Sequence, residues 1–206
     1  MDNLASHRVA QHIFAEIRDR PYAWAVSPGV QANNCYVKGI ELLQRLGILG
    51  YAVRGRVGEM SFGDVIPKRI QRLHPSAFPP THFWIEVWLD GHWHRLDCSV
   101  DPPLATAGLV VNQWGSNQTC FDLTKIYSQA EVIDYQVQWK NQDLLRRYFV
   151  MVAPFARALN LWFEHVRLHA DAKATVPRAS WPSWNSSQQS LKQSSQQSTR
   201  KPSKQA

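Results

Sequence analysis

The stretch THFWIEVWLDGHWHRLDCS, from Thr81 to Ser99, constrains the fold of this chain more than any other, because Asp90-Gly91 stands between two aromatic and β-branched runs. An Asp-Gly pair tolerates the positive φ angles that a two-residue hairpin turn demands. Register then follows by counting. With Leu89 opposite His92, Trp88 faces Trp93, Glu86 faces Arg95, Trp84 faces Asp97 and His82 faces Ser99. Side chains alternate between faces, so Phe83, Ile85, Val87, Leu89 and Leu96 go to the core. His82 and Asp97 share the other face as diagonal neighbours, at about 7 Å or less between Cβ atoms, within reach of a hydrogen bond.

Upstream, Val9, Ile13 and Ile17 recur at helical spacing with Ala10 and Phe14 beside them, which predicts an amphipathic helix over 3–18 that ends before Pro21. A second helix is predicted to start at Asn33-Asn34, where an Asn side chain caps free backbone N–H groups. It runs through Ile40, Leu42, Leu43 and Leu46 to Gly47. Cys35 falls in its first turn. Tyr51 to Val57 reads as a strand, and Gly58 to Thr81 as a proline-punctuated surface loop with a short helix, of the kind that borders active sites. Beyond Pro103, Glu131 to Trp139 is expected to be a strand and Gln142 to Ala172 a long helix broken near Pro154.

The net charge of +7 suggests a nucleic-acid partner until it is divided along the chain. Lys173, Arg178, Lys192, Arg200, Lys201 and Lys204 carry six of the 23 basic residues with no acidic residue among them, so 17 basic face 16 acidic residues in the remainder. That Ser/Gln-rich segment, 173–206, has too few apolar side chains to offset the entropy of ordering and is expected to be disordered. Its flexible charge implies weak, salt-sensitive contact and no specific nucleic-acid recognition. An apolar share of 44% with nine Trp marks the rest, 1–172, as globular. No run reaches the roughly 18 apolar residues of a membrane span. Residues Met1 to Asp19 contain no apolar signal-peptide core, so a cytoplasmic address is expected.

Three cysteines without CxxC spacing, Cys35, Cys98 and Cys120, leave at least one thiol unpaired. A thiol attacks as thiolate, and an unperturbed cysteine has a pKa of about 8.5, so catalysis near neutrality needs the anion stabilised. The first turn of a helix offers unpaired N–H groups and the positive end of the helix dipole, and a nearby imidazole takes the proton. Cys35 and His82 supply both devices, and Asp97 orients the imidazole through its other nitrogen. The backbone N–H of Cys35 is the first candidate donor to a tetrahedral oxyanion, with Gln31 or Trp24 as the second. Singly these residues would read as a buried cysteine, a strand histidine and a turn aspartate. A competing pattern is His92, His94 and Cys98, whose donor types suit zinc. They alternate along the face opposite His82, where packed or solvated side chains are the commoner explanation.

CYVKGIELLQRLGILGYAVRGRV, from Cys35 to Val57, resembles the core of the transglutaminase-like superfamily, in which Cys opens a helix that ends at a Gly-Ile pair, here Gly47 and Ile48, before a strand. Thr81 to Asp97 is similar to that superfamily's His-bearing strand, Asp-Gly turn and Asp-bearing strand, and RDRPY, Arg18 to Tyr22, to its upstream segment. The resemblance covers about 7–104. Many members carry a small residue such as Gly near the Cys, where this chain has Asn33-Asn34.

The resemblance implies an α+β, papain-like domain in which a Cys-bearing helix packs on an antiparallel sheet, with Cys35 as nucleophile, His82 as general base and Asp97 as its orienter. It implies a cysteine peptidase or amide hydrolase acting on a peptide or protein amide through a thioester, needing no cofactor or metal. Amine-transferring enzymes and inactive binding modules share the same fold.

Overall fold

The computed structural model describes residues 3–30, 32–138 and 140–170. Gln31, Trp139 and the basic segment 173–206, for which disorder is expected, lie outside the described residues. The elements are α1 (Asn3–Arg18), α2 (Cys35–Ile48), β1 (Val53–Ser61), α3 (Lys68–Gln71), β2 (Thr81–Leu89), β3 (His92–Leu96), a 3-10 turn (Pro102–Ala107), β4 (Asp122–Ile126), α4 (Gln129–Gln138) and α5 (Gln142–His169). They form a mixed α+β structure built on a four-stranded sheet of order β3-β2-β1-β4 with every neighbouring pair antiparallel.

The hairpin has the register counted from the sequence: Leu89 pairs with His92, Trp88 with Trp93, Glu86 with Arg95 and Ile85 with Leu96. Asp90 and Gly91 take φ angles of 49° and 83°, the left-handed pair that a tight two-residue turn requires. One face of the sheet carries Phe83, Ile85, Val87, Val57 and Leu96 into a core shared with Ala10, Ile13, Phe14 and Ile17 of α1 and Leu42 and Leu46 of α2. Each such side chain contributes roughly 1.5–3 kcal/mol by leaving water. His82, Trp84 and Asp97 belong to the opposite face.

Two expectations change. Residues 131–138 are helical, not a strand. Ser128 and Glu131 form a reciprocal capping box, with Ser128 N–H donating to Glu131 Oε2 at 2.7 Å and Glu131 N–H to Ser128 Oγ at 3.3 Å. The last helix is continuous through Pro154, its start capped by Asn141 Oδ1, which accepts from the N–H groups of Asp143 and Leu144. The Cys-bearing helix ends at the Gly47-Ile48 pair, and Gly50, at φ 86°, takes a left-handed position just beyond it. Among the described residues no helix is long and apolar enough to cross a membrane.

Two glycines let α2 lie close on the sheet. A Cβ on Gly39 would stand 2.5 Å from the Phe83 ring, and one on Gly55 of β1 would meet the same ring at 2.9 Å. Phe83 is thus wedged between helix and strand with little room to yield. Gly39→Ala in an exposed helix would gain about 1 kcal/mol of helix propensity, but overpacking costs about 1–3 kcal/mol. The expected outcome in denaturant titration is a net loss of stability of up to about 2 kcal/mol. Unchanged or increased stability would show that Phe83 repacks freely.

Candidate active site

Cys35 is the first residue of α2, and Asn34 caps the helix by accepting a hydrogen bond from Val37 N–H at 2.9 Å. The thiol therefore stands at a helix N-terminus whose first turn carries no acidic residue. Of the three free thiols, Cys35 is half-buried, whereas Cys98 and Cys120 are buried. Burial, aided by the negative charge of Asp97, pushes the Cys98 thiol up and the Cys120 thiol well up.

His82 and Asp97 meet as the register requires, with His82 Nε2 2.6 Å from Asp97 Oδ2 and both side chains wholly out of solvent. Burial acts most strongly on the ring and opposes its charge. The carboxylate's charge and hydrogen bond, with a smaller contribution from Cys35, outweigh it and raise the His82 pKa from 6.5 to about 10. Burial likewise opposes the Asp97 charge, yet His82 and the hydrogen bonds from Cys120 and Ser99 bring its pKa below 3.8. Because Asp97 accepts the proton on Nε2, the neutral ring keeps its lone pair on Nδ1. Nδ1 has no partner at ordinary hydrogen-bond geometry, while the Cys35 side chain is among the groups that favour the protonated ring. Trp84 stacks beside the imidazole at 6.2 Å and Phe121 meets it edge-on at 5.0 Å.

The structure also shows participants that the sequence reading missed. Asp97 Oδ1 accepts from Ser99 N–H at 3.1 Å and Ser99 Oγ–H at 2.5 Å, and Oδ2 accepts from Cys120 N–H at 2.7 Å. Lys38, one turn beyond Cys35 on the same helix, is buried, and burial lowers its pKa to about 8. Its ammonium donates to three backbone carbonyls, those of Arg18 at 2.9 Å, Ser99 at 2.8 Å and Arg20. One side chain thus ties the Cys35 helix to the turn that orders Asp97. In the sequence Lys38 differs from a surface lysine only in lying among the apolar positions of the helix.

The oxyanion candidates fare differently. Gln31 lies outside the described residues. Both N–H groups of Trp24 are engaged, the backbone one with Asn160 Oδ1 at 2.8 Å and Nε1 with the Tyr22 hydroxyl at 3.0 Å, so Trp24 offers no free donor here. His92 and His94 lie against each other at 3.9 Å between ring centroids, but among the described residues no group of three or more His, Cys, Asp or Glu could hold a metal ion. Comparison with protein-family models, with curated proteins and with solved structures finds no match to this chain.

Two measurements probe this geometry. In native protein, iodoacetamide near pH 6 is expected to modify Cys35 before Cys98 or Cys120, read by peptide mass spectrometry; faster modification of either buried thiol would contradict the assignment.

The second concerns pH. A folded-state pKa raised from 6.5 to about 10 means that the His82 contribution is complete below pH 6.5 and lost as pH rises through about 10. The depressed Asp97 pKa keeps its contribution present above pH 3.8. The stability gap between wild type and Asp97→Asn should therefore be greatest, about 3 kcal/mol, between roughly pH 4 and 6.5, and should shrink toward pH 10. A gap that stays constant from pH 6 to 10 would show that the buried ring is neutral.

Proposed function

We propose that this chain is a thiol-dependent amide hydrolase, a cysteine peptidase or amidase with a transglutaminase-like, papain-related fold, in which Cys35, His82 and Asp97 are the triad. The observation that carries the reading is the arrangement of His82, bonded through Nε2 to a fully satisfied buried carboxylate while Nδ1 is left without an ordinary partner, beside a cysteine that opens a capped helix.

The chemistry runs in two halves. His82, whose pKa of about 10 keeps the ring protonated near neutrality, holds the Cys35 proton on Nδ1 while the sulfur bonds to the carbonyl carbon, and the C=O π pair moves onto oxygen. The Cys35 backbone N–H, at the helix start, faces that charge. When the C=O re-forms, the C–N bond breaks and the leaving nitrogen takes the proton from His82, leaving a thioester on Cys35. Water then gives a proton to His82 as its oxygen adds to the same carbon. The C–S bond breaks, the acid departs, and the proton that water gave stays on His82 Nδ1 beside the released sulfur. Asp97 stays ionised throughout and holds the imidazolium.

An amine could resolve the same thioester. Water is favoured by the loop between β1 and β2, which exposes Lys68, Arg69 and Arg72, the first paired with Asp64 at 2.9 Å. Positive charge on that loop disfavours the approach of a protonated lysine donor and favours an acidic or carboxylate-bearing peptide.

The test supplies a fluorogenic peptide amide with and without excess primary amine, and measures acid against transferred product. Acid is expected to predominate between pH 6 and 8, and Cys35→Ala to abolish both products. Predominant amine incorporation would make the chain a transferase with the same triad. Full activity in Cys35→Ala would reject the site.

A further inference from the structure

The proposed chemistry leaves the tetrahedral oxyanion with one backbone donor, the Cys35 N–H, and Trp24 has no N–H to spare. The side chain that takes up the Trp24 indole proton is Tyr22, whose hydroxyl accepts it at 3.0 Å. Accepting that bond occupies a lone pair and leaves the phenolic proton to be given elsewhere.

Its position is set by the chain around it. Ala23 N–H donates to the carbonyl of Asn33, two residues before Cys35, and Lys38 of the Cys35 helix reaches back to the carbonyl of Arg20. The segment 20–24 is therefore stitched along the start of α2 on both sides of Tyr22. Tyr22 N–H donates to Asp101 Oδ1 at 2.7 Å, its carbonyl accepts from Arg167 at 2.7 Å, and its ring packs on Phe163 at 5.4 Å. It also packs on Phe121 at 6.2 Å, the same ring that meets His82 edge-on.

The acceptors near the phenol differ in what they have left to offer. Burial first, and then the charges developed at Cys35 and Asp97, oppose ionisation of Tyr22 and outweigh the Trp24 hydrogen bond that favours it, so Tyr22 remains a neutral O–H donor. Asp97 is already bonded to His82, Ser99 and Cys120. Cys120 is held as an uncharged buried thiol. Charge that appears during reaction appears at Cys35.

We propose that the Tyr22 hydroxyl, held from behind by Trp24 Nε1, is the second oxyanion donor of this site and hydrogen-bonds the carbonyl oxygen of an acyl group as it is attacked by Cys35. This rests on the Cys35 nucleophile argued above. In the step it serves, the sulfur–carbon bond forms, the C=O π pair becomes a lone pair on oxygen facing Tyr22, and the tyrosine keeps its covalent O–H throughout.

Two reagents separate this role from general support of the thiol. p-Nitrophenyl acetate acylates through a tetrahedral oxyanion and expels p-nitrophenolate. Iodoacetamide alkylates by displacement at a saturated carbon and forms no oxyanion. In the full chain, Tyr22→Phe is expected to slow acylation of Cys35 by p-nitrophenyl acetate at least tenfold while leaving alkylation within threefold of wild type. Trp24→Phe, which removes the indole N–H behind the hydroxyl, should slow acylation by a smaller factor with the same selectivity.

Acylation within threefold of wild type in Tyr22→Phe would overturn the assignment. An equal fall in both reactions would also overturn it, because Tyr22 would then act on the thiol or on packing. Circular dichroism establishes that each variant is folded, and if Tyr22→Phe is not, the Trp24→Phe ratio decides. A wild-type Cys35 inert to both reagents would instead refute the nucleophile itself.

Discussion

The buried carboxylate of Asp97 is the interaction on which the site depends. A lone ionised carboxylate in a protein interior would protonate or unfold its surroundings. Here it is tolerated because its two oxygens accept from His82, from both donors of Ser99 and from the backbone of Cys120. Those partners come from β2, from the turn after β3 and from the loop that leads into β4. The carboxylate thus draws three chain segments to one point, and the histidine's orientation follows from that convergence. The same bonds bring the carboxylate below its usual range and the imidazole above it, so proton exchange on the ring is directed to Nδ1.

How legible this was depends on whether side chains or backbone do the holding. Strand alternation and the Asp90-Gly91 turn determine a register, and a register determines which side chains share a face, so His82 and Asp97 could be paired by counting. Cys35 at a helix start was legible because an Asn cap has a side-chain signature. The remaining support for Asp97 was not, since the N–H of Cys120 is a backbone group and carries no mark in the sequence. Lys38 was equally silent, because its role is defined by three carbonyls brought from Arg18, Arg20 and Ser99. For the second oxyanion donor the sequence offers Gln31 or Trp24, and the indole of Trp24 is instead engaged with the hydroxyl of Tyr22, two residues away. The 131–138 segment was misread because Val132, Ile133, Tyr135 and Val137 have strand-like propensities. Ser128 and Glu131, at capping-box spacing, held the correct signal.

The sequence resemblance stops near Pro103, yet the residues beyond it are not an appendage to the site. Arg167 of α5 binds both oxygens of Asp101, at 2.8 and 2.7 Å, and the carbonyl of Tyr22. Asn160 of the same helix pairs with both the N–H and the carbonyl of Trp24, as a neighbouring strand would. These contacts reach a short segment that belongs to no helix or strand. Without them its buried backbone groups would be left unpaired, each at a cost of about 1–3 kcal/mol. With them, residues 20–24 are held between α5 on one side and the Cys35 helix on the other.

That arrangement explains why α5 continues through Pro154. Proline removes a helical hydrogen bond and crowds the preceding turn, at roughly 3 kcal/mol in a helix interior. Next to it Phe155 is buried against Trp24, Phe62 and His74, with ring centroids 5.0, 5.1 and 4.9 Å apart, and Val152, Leu159 and Phe163 are buried on the same helix. Burial of those side chains, at roughly 1.5–3 kcal/mol each, exceeds the cost of the proline. A break at Pro154 would release the helix from this aromatic cluster. Asn160 and Arg167 lie one and three turns further on, so their reach to Trp24 and Asp101 requires the helix axis to be continuous from the cluster to its C-terminus. The packing that overrides the proline is therefore also what aligns the segment beside the start of the Cys35 helix.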